Sequence, residues 1–229
     1  FFAVLEDELM EFREVEFRGM RFSEEEIIHL FYDKFYQIPL LKRMDAVMEY
    51  FIDSYETLKG RNIEEEDREF LQRKFDKMYV TKDIYAIYNK LLAVCGQEQM
   101  AELPYERRKI QYEDVFPMLY VKYRLTGKNE HKNIKHLVID EMQDYSYLQY
   151  LILKELFDCK MTILGDRAQT LGKEQQDVLK FLPKVFGKNI RTVILNKSYR
   201  NTREIADYAG KIANVKDIEF LDRHGKDVA

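Results

Sequence analysis

The sequence contains no tryptophan and only two cysteines among its 229 residues. Cys95 and Cys159 lie far apart and form no C-x-x-C pair, which disfavours both a disulfide framework and a zinc site. The histidines are scattered, and their spacing supports neither a metal cluster nor a nucleophilic triad. We therefore expect a reducing, cytoplasmic compartment.

Long apolar runs and a strong net charge are also missing. No apolar run approaches the roughly 20 residues of a membrane-spanning helix, and the opening FFAVLEDELMEF is too acidic for a secretory signal. We therefore expect neither a membrane nor an export role. The formal net charge is −4, from 37 basic and 41 acidic residues, so any binding of nucleic acid has to be local.

The first part of the chain carries a series of helical patterns. Ser23 is followed by three glutamates, a capping-box sequence that predicts a helix beginning there and ending near Pro39. Apolar residues in the stretch 40–58 recur at helical spacing, which predicts a second helix closed by Gly60. This part of the chain is therefore expected to be mainly helical.

One strand pattern interrupts these helices before residue 130. The stretch EVEFRGMRF predicts a short hairpin that turns at Arg18-Gly19. Further on, Pro104 and the charged residues after it indicate a boundary, and EDVFPMLYVKYRL predicts one more helix despite Pro117.

The pattern changes after residue 130. Three short apolar runs, at 134–139, 161–164 and 191–195, are each followed by a helical pattern. Strands that alternate with helices in this way predict a parallel sheet covered by helices. We therefore predict an α/β fold for this part of the chain.

The strongest chemical signal is HLVIDEMQDYS, an apolar strand that ends in Asp140-Glu141. It places two carboxylates at the carboxyl edge of a parallel sheet, where open α/β folds bind ligands. One carboxylate can hold Mg²⁺, which takes one or two protein carboxylates together with phosphate oxygens, while the next polarises water. The plainer interpretation is a buried strand that ends in an acidic helix cap, with Asp144 and Ser146 as good capping residues.

Two further patterns follow. In MTILGDRAQTL a strand ends in a Gly-Asp turn, and the amide of Gln169 suits a phosphate oxygen or an attacking water. In LNKSYRNTREI, Tyr199 offers a ring on which a base can stack, and Arg200 offers a fork of donors for phosphate. Taken alone, the first is an ordinary strand-turn-helix corner and the second a capped surface element.

In this order, D-E-x-Q-D, G-D-x-x-Q and S-Y-R resemble motifs II, III and IV of superfamily 1 helicases of the UvrD/Rep type. The resemblance implies that Asp140 is a ligand of Mg²⁺. It also implies that Glu141 belongs to the metal site and is the catalytic base for ATP hydrolysis. It also implies that Gln143 and Asp144 couple the bound nucleotide to the surrounding loops.

The same resemblance assigns roles to the later motifs. Gln169 would sense the γ-phosphate, Tyr199 would stack on adenine, and Arg200 would be the arginine finger of a second RecA-like domain. The implied cofactors are ATP and Mg²⁺, and the implied partner is DNA, either single-stranded or at a duplex junction. The implied fold is a partial RecA-like P-loop NTPase sheet with a mainly helical insertion domain.

The implied domains are a helical insertion at 1–110, the C-terminal part of the first RecA-like domain at 111–190, and the start of the second at 191–229. The texture of the upstream stretch, from FRGMRFSEEEIIHLFYDKFY to YEDVFPMLYVKYRLTG, is similar to the HelD group of Gram-positive bacteria. HelD-type proteins associate with RNA polymerase and help to release it from nucleic acid.

Two features depart from the helicase pattern. No G-x-x-x-x-G-K-[ST] phosphate loop occurs in the sequence, so we expect a fragment that lies downstream of that loop and ends before motifs V and VI. UvrD-like motors also carry a tryptophan just past motif III that stacks on DNA, but Thr170, Leu171 and Gly172 stand there instead.

Three functions remain open at this stage. The first is an ATP-driven helicase or translocase, and the second is a HelD-type ATPase that acts on RNA polymerase. The third is a non-catalytic interaction module that retains motor motifs. Two basic clusters add little, because a charge run is usually a solvated face: Lys42-Arg43 and Arg107-Arg108-Lys109.

We predict that this polypeptide alone hydrolyses ATP negligibly, because the backbone cradle for the β- and γ-phosphates is absent from its sequence. Phosphate release from Mg²⁺-ATP by the purified chain measures this directly. Turnover comparable to that of a full-length motor would contradict the prediction.

Overall fold

The computed structural model describes residues 2–127, 131, 133–166, 178–195, 197–213, 219–220 and 222–226. The chain forms two compact units, Phe1–Asn129 and Glu130–Ala229. Each unit has its own hydrophobic core.

The first unit is mainly helical and contains one hairpin, β1 (Val15–Phe17) and β2 (Met20–Phe22). Its α-helices are α1 (Phe2–Glu8), α2 (Glu24–His29), α3 (Leu40–Lys59), α4 (Glu65–Asp76), α5 (Ile84–Val94) and α6 (Tyr112–Thr126). A π-helical turn, Leu30–Lys34, continues α2.

The predicted capping box is confirmed at the start of α2. Ser23 Oγ accepts a hydrogen bond from Glu26 N at 3.2 Å, and the Glu26 carboxylate accepts one from Ser23 N at 2.7 Å. Both bonds satisfy backbone donors that the first helical turn leaves free.

The predicted hairpin and second helix are also confirmed. Arg18 and Gly19 both have positive φ, 45° and 80°, as a two-residue hairpin turn of the favoured twist requires. Helix α3 ends at Gly60 in the left-handed conformation, φ 66°, which glycine adopts without steric cost.

Helix α3 is the centre of the first core. It packs against α4, α6 and the π-helical turn. The Phe51 ring on α3 is fully buried and makes edge contacts with Phe22 and Phe75, at centroid distances of 4.8 and 5.8 Å. Helix α6 packs on α3 and α5 and belongs to this first unit.

The second unit has the predicted parallel α/β arrangement. Strand β3 (His136–Ile139) pairs in parallel with β4 (Lys160–Ile163), and α7 (Tyr147–Leu156) connects them. Helix α8 (Val178–Phe186) packs on α7. The remaining elements are β5 (Lys197–Ser198), α9 (Arg203–Ala213) and β6 (Glu219–Phe220), with β5 and β6 parallel.

The predicted third strand at 191–195 is wrong. Val193, Ile194 and Leu195 are 67%, 78% and 89% exposed, and the strand that the structure places here is the shorter β5. A strand needs a neighbour to satisfy its backbone groups, and in the described parts of the chain no strand pairs with 191–195. The apolar composition of this stretch did not show that it has no strand to pair with among the described residues.

No helix within the described ranges is both long and apolar enough to cross a membrane.

Replacing Phe51 by alanine should lower the free energy of unfolding of the first unit by about 3–5 kcal/mol, because a buried ring is lost and a cavity remains. Urea unfolding followed by circular dichroism measures the change. Leu58→Ala is the control on the same helix, since Leu58 is 67% exposed and its loss should cost less than about 0.5 kcal/mol. Equal effects of the two substitutions would contradict the assignment of this core.

Candidate functional site

The end of strand β3 forms the first part of the site. Asp140 and Glu141 follow the strand directly, and both side chains are exposed. Asp140 Oδ1 accepts a hydrogen bond from Glu141 N at 2.9 Å. Glu141 adopts the left-handed conformation, φ 51° and ψ 52°, which costs a residue other than glycine roughly 1–3 kcal/mol. Surrounding contacts must therefore hold this turn in place.

Backbone hydrogen bonds fasten the turn to the end of β4. Leu164 N donates to Ile139 O at 2.8 Å, and Met142 N donates to Leu164 O at 2.8 Å. These two bonds continue the pairing of β3 and β4 beyond the last residues of both strands. The loop after β3 and the loop after β4 consequently lie side by side.

The side chain of Gln143 bridges the two loops. Its Nε2 donates to Glu141 Oε2 at 2.6 Å, and its Oε1 accepts from Asp166 N at 3.1 Å. One amide group thus contacts a carboxylate in the first loop and a backbone N–H in the second.

Gly165 allows this close approach. A Cβ atom at position 165 would lie 2.4 Å from Met142 Cγ, 2.6 Å from Met142 N and 2.7 Å from Gln143 Oε1. Two of these neighbours are a backbone atom and a hydrogen-bonded amide, so they cannot move away without breaking the junction. Glycine is therefore required at this position by space.

The core beneath the loops supports the turn. Met142 is 7% exposed, and the fully buried Tyr150 donates its hydroxyl to Met142 O at 3.1 Å. Burial raises the pKa of Tyr150 to about 12, so its hydroxyl remains a donor even at the ordinary tyrosine pKa of 10. Ser146 and Gln149 form a second capping box at the start of α7.

The residues of the first predicted motif lie next to one another, and their roles remain predictions. Asp140, Glu141 and Gln143 lie at the end of β3, and Asp144 is exposed on the adjoining 3₁₀ turn. Sequence reasoning placed the carboxylates but did not find the bridge from Gln143 to Asp166. The glycine in the G-D turn was the available signal for a close approach.

The other predicted site residues remain predictions. Gln169 lies outside the described residues. Tyr199, which is 64% exposed, and Arg200, also exposed, follow strand β5.

The structure corrects the expectation for the first basic cluster. Arg43 is only 6% exposed and donates to the carbonyl oxygens of Ile38 and Tyr36, both at 3.1 Å. It is therefore a core residue and not part of a solvated face. In the other cluster, Arg108 pairs with Asp83, an interaction that lowers the pKa of that carboxyl.

The carboxylates at the strand end suit a magnesium ion bound through a nucleotide. Within the ranges that the structure describes, no group of three or more His, Cys, Asp or Glu side chains is arranged to hold a metal. Mg²⁺ bound through phosphates needs only one or two carboxylates. Asp140 Oδ1 accepts one hydrogen bond from Glu141 N, and because each carboxylate oxygen has two lone pairs, this bond does not prevent Asp140 from holding the ion.

A contact that sequence reasoning missed closes the segment 222–226 onto α9. The Glu204 carboxylate accepts from Gly225 N at 2.8 Å and from His224 Nδ1 at 2.7 Å, while His224 Nε2 contacts Asp222 Oδ1 at 3.1 Å. The bond from Gly225 N, followed by that from His224, lowers the pKa of Glu204 to about 2. Glu204, followed by Asp222, raises the pKa of His224.

A parallel strand pair joined by a helix defines an α/β protein, and its exposed carboxylates lie at the carboxyl end of the strands, where open α/β folds bind ligands. The family model of the UvrD/REP helicase N-terminal domain matches residues 7–171. This match covers well over half of the chain, and the chain belongs to that family. A comparison with curated proteins gave no match. Full-length UvrD helicases are ATP-dependent enzymes that generally use Mg²⁺ and bind DNA.

Substituting Gly165 by alanine should destabilise the second unit by about 1–3 kcal/mol, the usual cost of forcing an extra carbon into a packed region. Thermal unfolding and the amide spectrum of residues 139–166 report the effect. Lys160→Ala is the control, because Lys160 is exposed at the start of β4, the strand that precedes Gly165. This substitution should change stability by less than about 0.5 kcal/mol. An alanine at 165 without effect would show that the loops are farther apart than described.

Protection of the Gly225 amide from hydrogen exchange should fall at both low and high pH. The contribution of Glu204 is complete above its ordinary pKa of 4.5 and is lost as pH falls toward 2. That of His224 is complete below its ordinary pKa of 6.5 and is lost as pH rises through the raised value. The contact should therefore be strongest between these ordinary values, as protection factors from hydrogen exchange would show.

His224→Gln supplies the control for this pH dependence. The variant should lose the alkaline change and keep the acid one, since Glu204 remains. An identical alkaline response in the variant and the wild type would contradict the assignment to His224.

Proposed function

We propose that this chain is part of an ATP-driven helicase or translocase motor that couples ATP hydrolysis to movement on nucleic acid. In this proposal Asp140 ligates the Mg²⁺ that accompanies ATP, and Glu141 is the general base that takes a proton from the attacking water. Gln169 contacts the γ-phosphate, Tyr199 stacks on adenine and Arg200 stabilises the charge of the departing phosphoryl group. Gln143 and Asp144 couple the nucleotide to the loops around it.

The observation that carries the proposal is the geometry at the ends of β3 and β4. Two exposed carboxylates stand at the strand end in a strained turn, and the next loop approaches so closely that position 165 has no room for a Cβ atom. A plain acidic helix cap needs neither the strained backbone nor the second loop. Membership of the UvrD/REP family supports the same function.

The proposed hydrolysis belongs to a protein in which these residues act together with a phosphate loop. The sequence of this chain lacks such a loop, and a P-loop motor needs its backbone N–H groups and lysine to hold the β- and γ-phosphates. ATP and Mg²⁺ supply the electrophilic phosphorus and its charge neutralisation, while the residues of this chain orient water and accept its proton.

A HelD-type ATPase that acts on RNA polymerase is the second candidate. The chain has no tryptophan, and Thr170, Leu171 and Gly172 follow the third motif, where a stacking residue worth roughly 1–3 kcal/mol per base is expected in a strand-unwinding motor. Co-purification with RNA polymerase, compared with strand unwinding by the full-length protein, separates the two candidates.

Within a full-length protein that includes the phosphate loop, Glu141→Gln should lower kcat by about 10²–10⁴ because the general base is lost. Arg200→Ala should lower it by about 10³–10⁵ because charge on the transferring group is no longer stabilised. Steady-state phosphate release measures both. Glu98→Gln and Arg13→Ala, at exposed positions of the first unit, are the matched controls and should retain wild-type turnover.

Unchanged turnover in either site variant would contradict that residue's proposed role. Lack of Mg²⁺-ATP binding by the wild-type protein would instead favour the non-catalytic interaction module.

A further inference from the structure

We propose that Gln143 is a positioning residue that fixes the carboxylate of Glu141 and ties it to the end of β4. This inference rests on the proposed function, because it assigns a task to a neighbour of the general base. The task is to hold one oxygen of Glu141 so that the other faces the reacting water.

The chemistry of its partners determines how the Gln143 amide is oriented. Asp166 N is a backbone N–H and can only donate, so the amide oxygen must face it, as the 3.1 Å contact shows. The amide nitrogen then faces Glu141 Oε2 at 2.6 Å, and an ionised carboxylate can only accept. A reversed amide would oppose donor to donor and acceptor to acceptor. The Gln143 amide therefore has one possible orientation, with its oxygen toward Asp166 N and its nitrogen toward Glu141.

The loop after β4 leaves space for the side chain of Gln143. Gln143 Oε1 is one of the atoms that a Cβ at position 165 would strike, at 2.7 Å. The space that Gly165 leaves is occupied partly by the amide oxygen of the bridge. A residue with a side chain at 165 would push Gln143 away and release Glu141.

Burial does not explain the bridge. Glu141 and Asp166 are exposed and Gln143 is only partly buried, so water can replace either partner and the hydrogen bonds contribute little to folding. What water cannot replace is a fixed orientation. General-base catalysis needs a carboxylate that stays within hydrogen-bonding distance of the proton it removes. Gln143 can hold the Glu141 carboxylate in this way, because its own amide is bonded to Asp166 N in the loop after β4.

Two substitutions of Gln143 distinguish a role in positioning Glu141 from a purely structural role. Gln143→Glu keeps an oxygen that can accept from Asp166 N, but in its ionised form it has no hydrogen to donate to Glu141. Gln143→Met has similar length and makes neither bond. Thermal unfolding of both variants checks that the fold is retained.

The first measurement uses this chain alone and needs no activity. Hydrogen exchange at the Asp166 amide should be slow in the wild type and in Gln143→Glu, and at least about tenfold faster in Gln143→Met, because a lost hydrogen bond frees the amide to exchange. Equal exchange in the wild type and Gln143→Met would overturn the bridge.

The second measurement uses the full-length protein with its phosphate loop. Both variants should lower kcat by about tenfold or more, while KM for ATP stays within about threefold, because orientation of the base affects the chemical step rather than ground-state binding. Wild-type kcat in Gln143→Glu would overturn the positioning role and leave a structural contact. If the wild-type protein itself shows no turnover, the proposed function fails and the positioning role with it, whereas the exchange result still decides whether the bridge exists.

Discussion

Two backbone hydrogen bonds beyond the strand ends hold the candidate site together. Leu164 N to Ile139 O and Met142 N to Leu164 O extend the pairing of β3 and β4 past the last strand residues. Parallel strands in register bring their carboxyl ends to one edge, and these bonds bring the following loops there too. The carboxylates, the Gln143 bridge and the space at Gly165 all depend on this junction.

The strained turn at Glu141 is stabilised from below as well as from the side. Tyr150 holds the carbonyl of Met142 from within the core, and the Met142 side chain is itself buried. Because the core fixes residue 142, the neighbouring residues 141 and 143 have little freedom to relax. Packing energy is thus used to maintain a backbone conformation that the residue would not adopt alone.

Much of this arrangement follows from local sequence. The capping box at Ser23, the hairpin turn at Arg18-Gly19 and the helix end at Gly60 are confirmed, because each depends on a few adjacent residues. The strand before Asp140 is confirmed as well, since an apolar run followed by two acids specifies both the strand and its end.

Long-range contacts were not predictable in the same way. The apolar run at 191–195 has strand composition but no strand partner within the described ranges, and composition does not encode partners. Arg43 has the sequence setting of a surface residue, yet a ring and two carbonyl oxygens enclose it. The Gln143 bridge joins loops that are distant in sequence, and the only sequence signal for it was the glycine at position 165.

The most direct test of this account is the scalar coupling across the hydrogen bond between the Met142 amide nitrogen and the Leu164 carbonyl carbon, measured by NMR in the deuterated chain. A resolved coupling is expected there, and another from the Leu164 amide to the Ile139 carbonyl. Couplings within the β3–β4 pair but none at Met142 would contradict it, because the loops that carry the carboxylates and Asp166 would then not be joined.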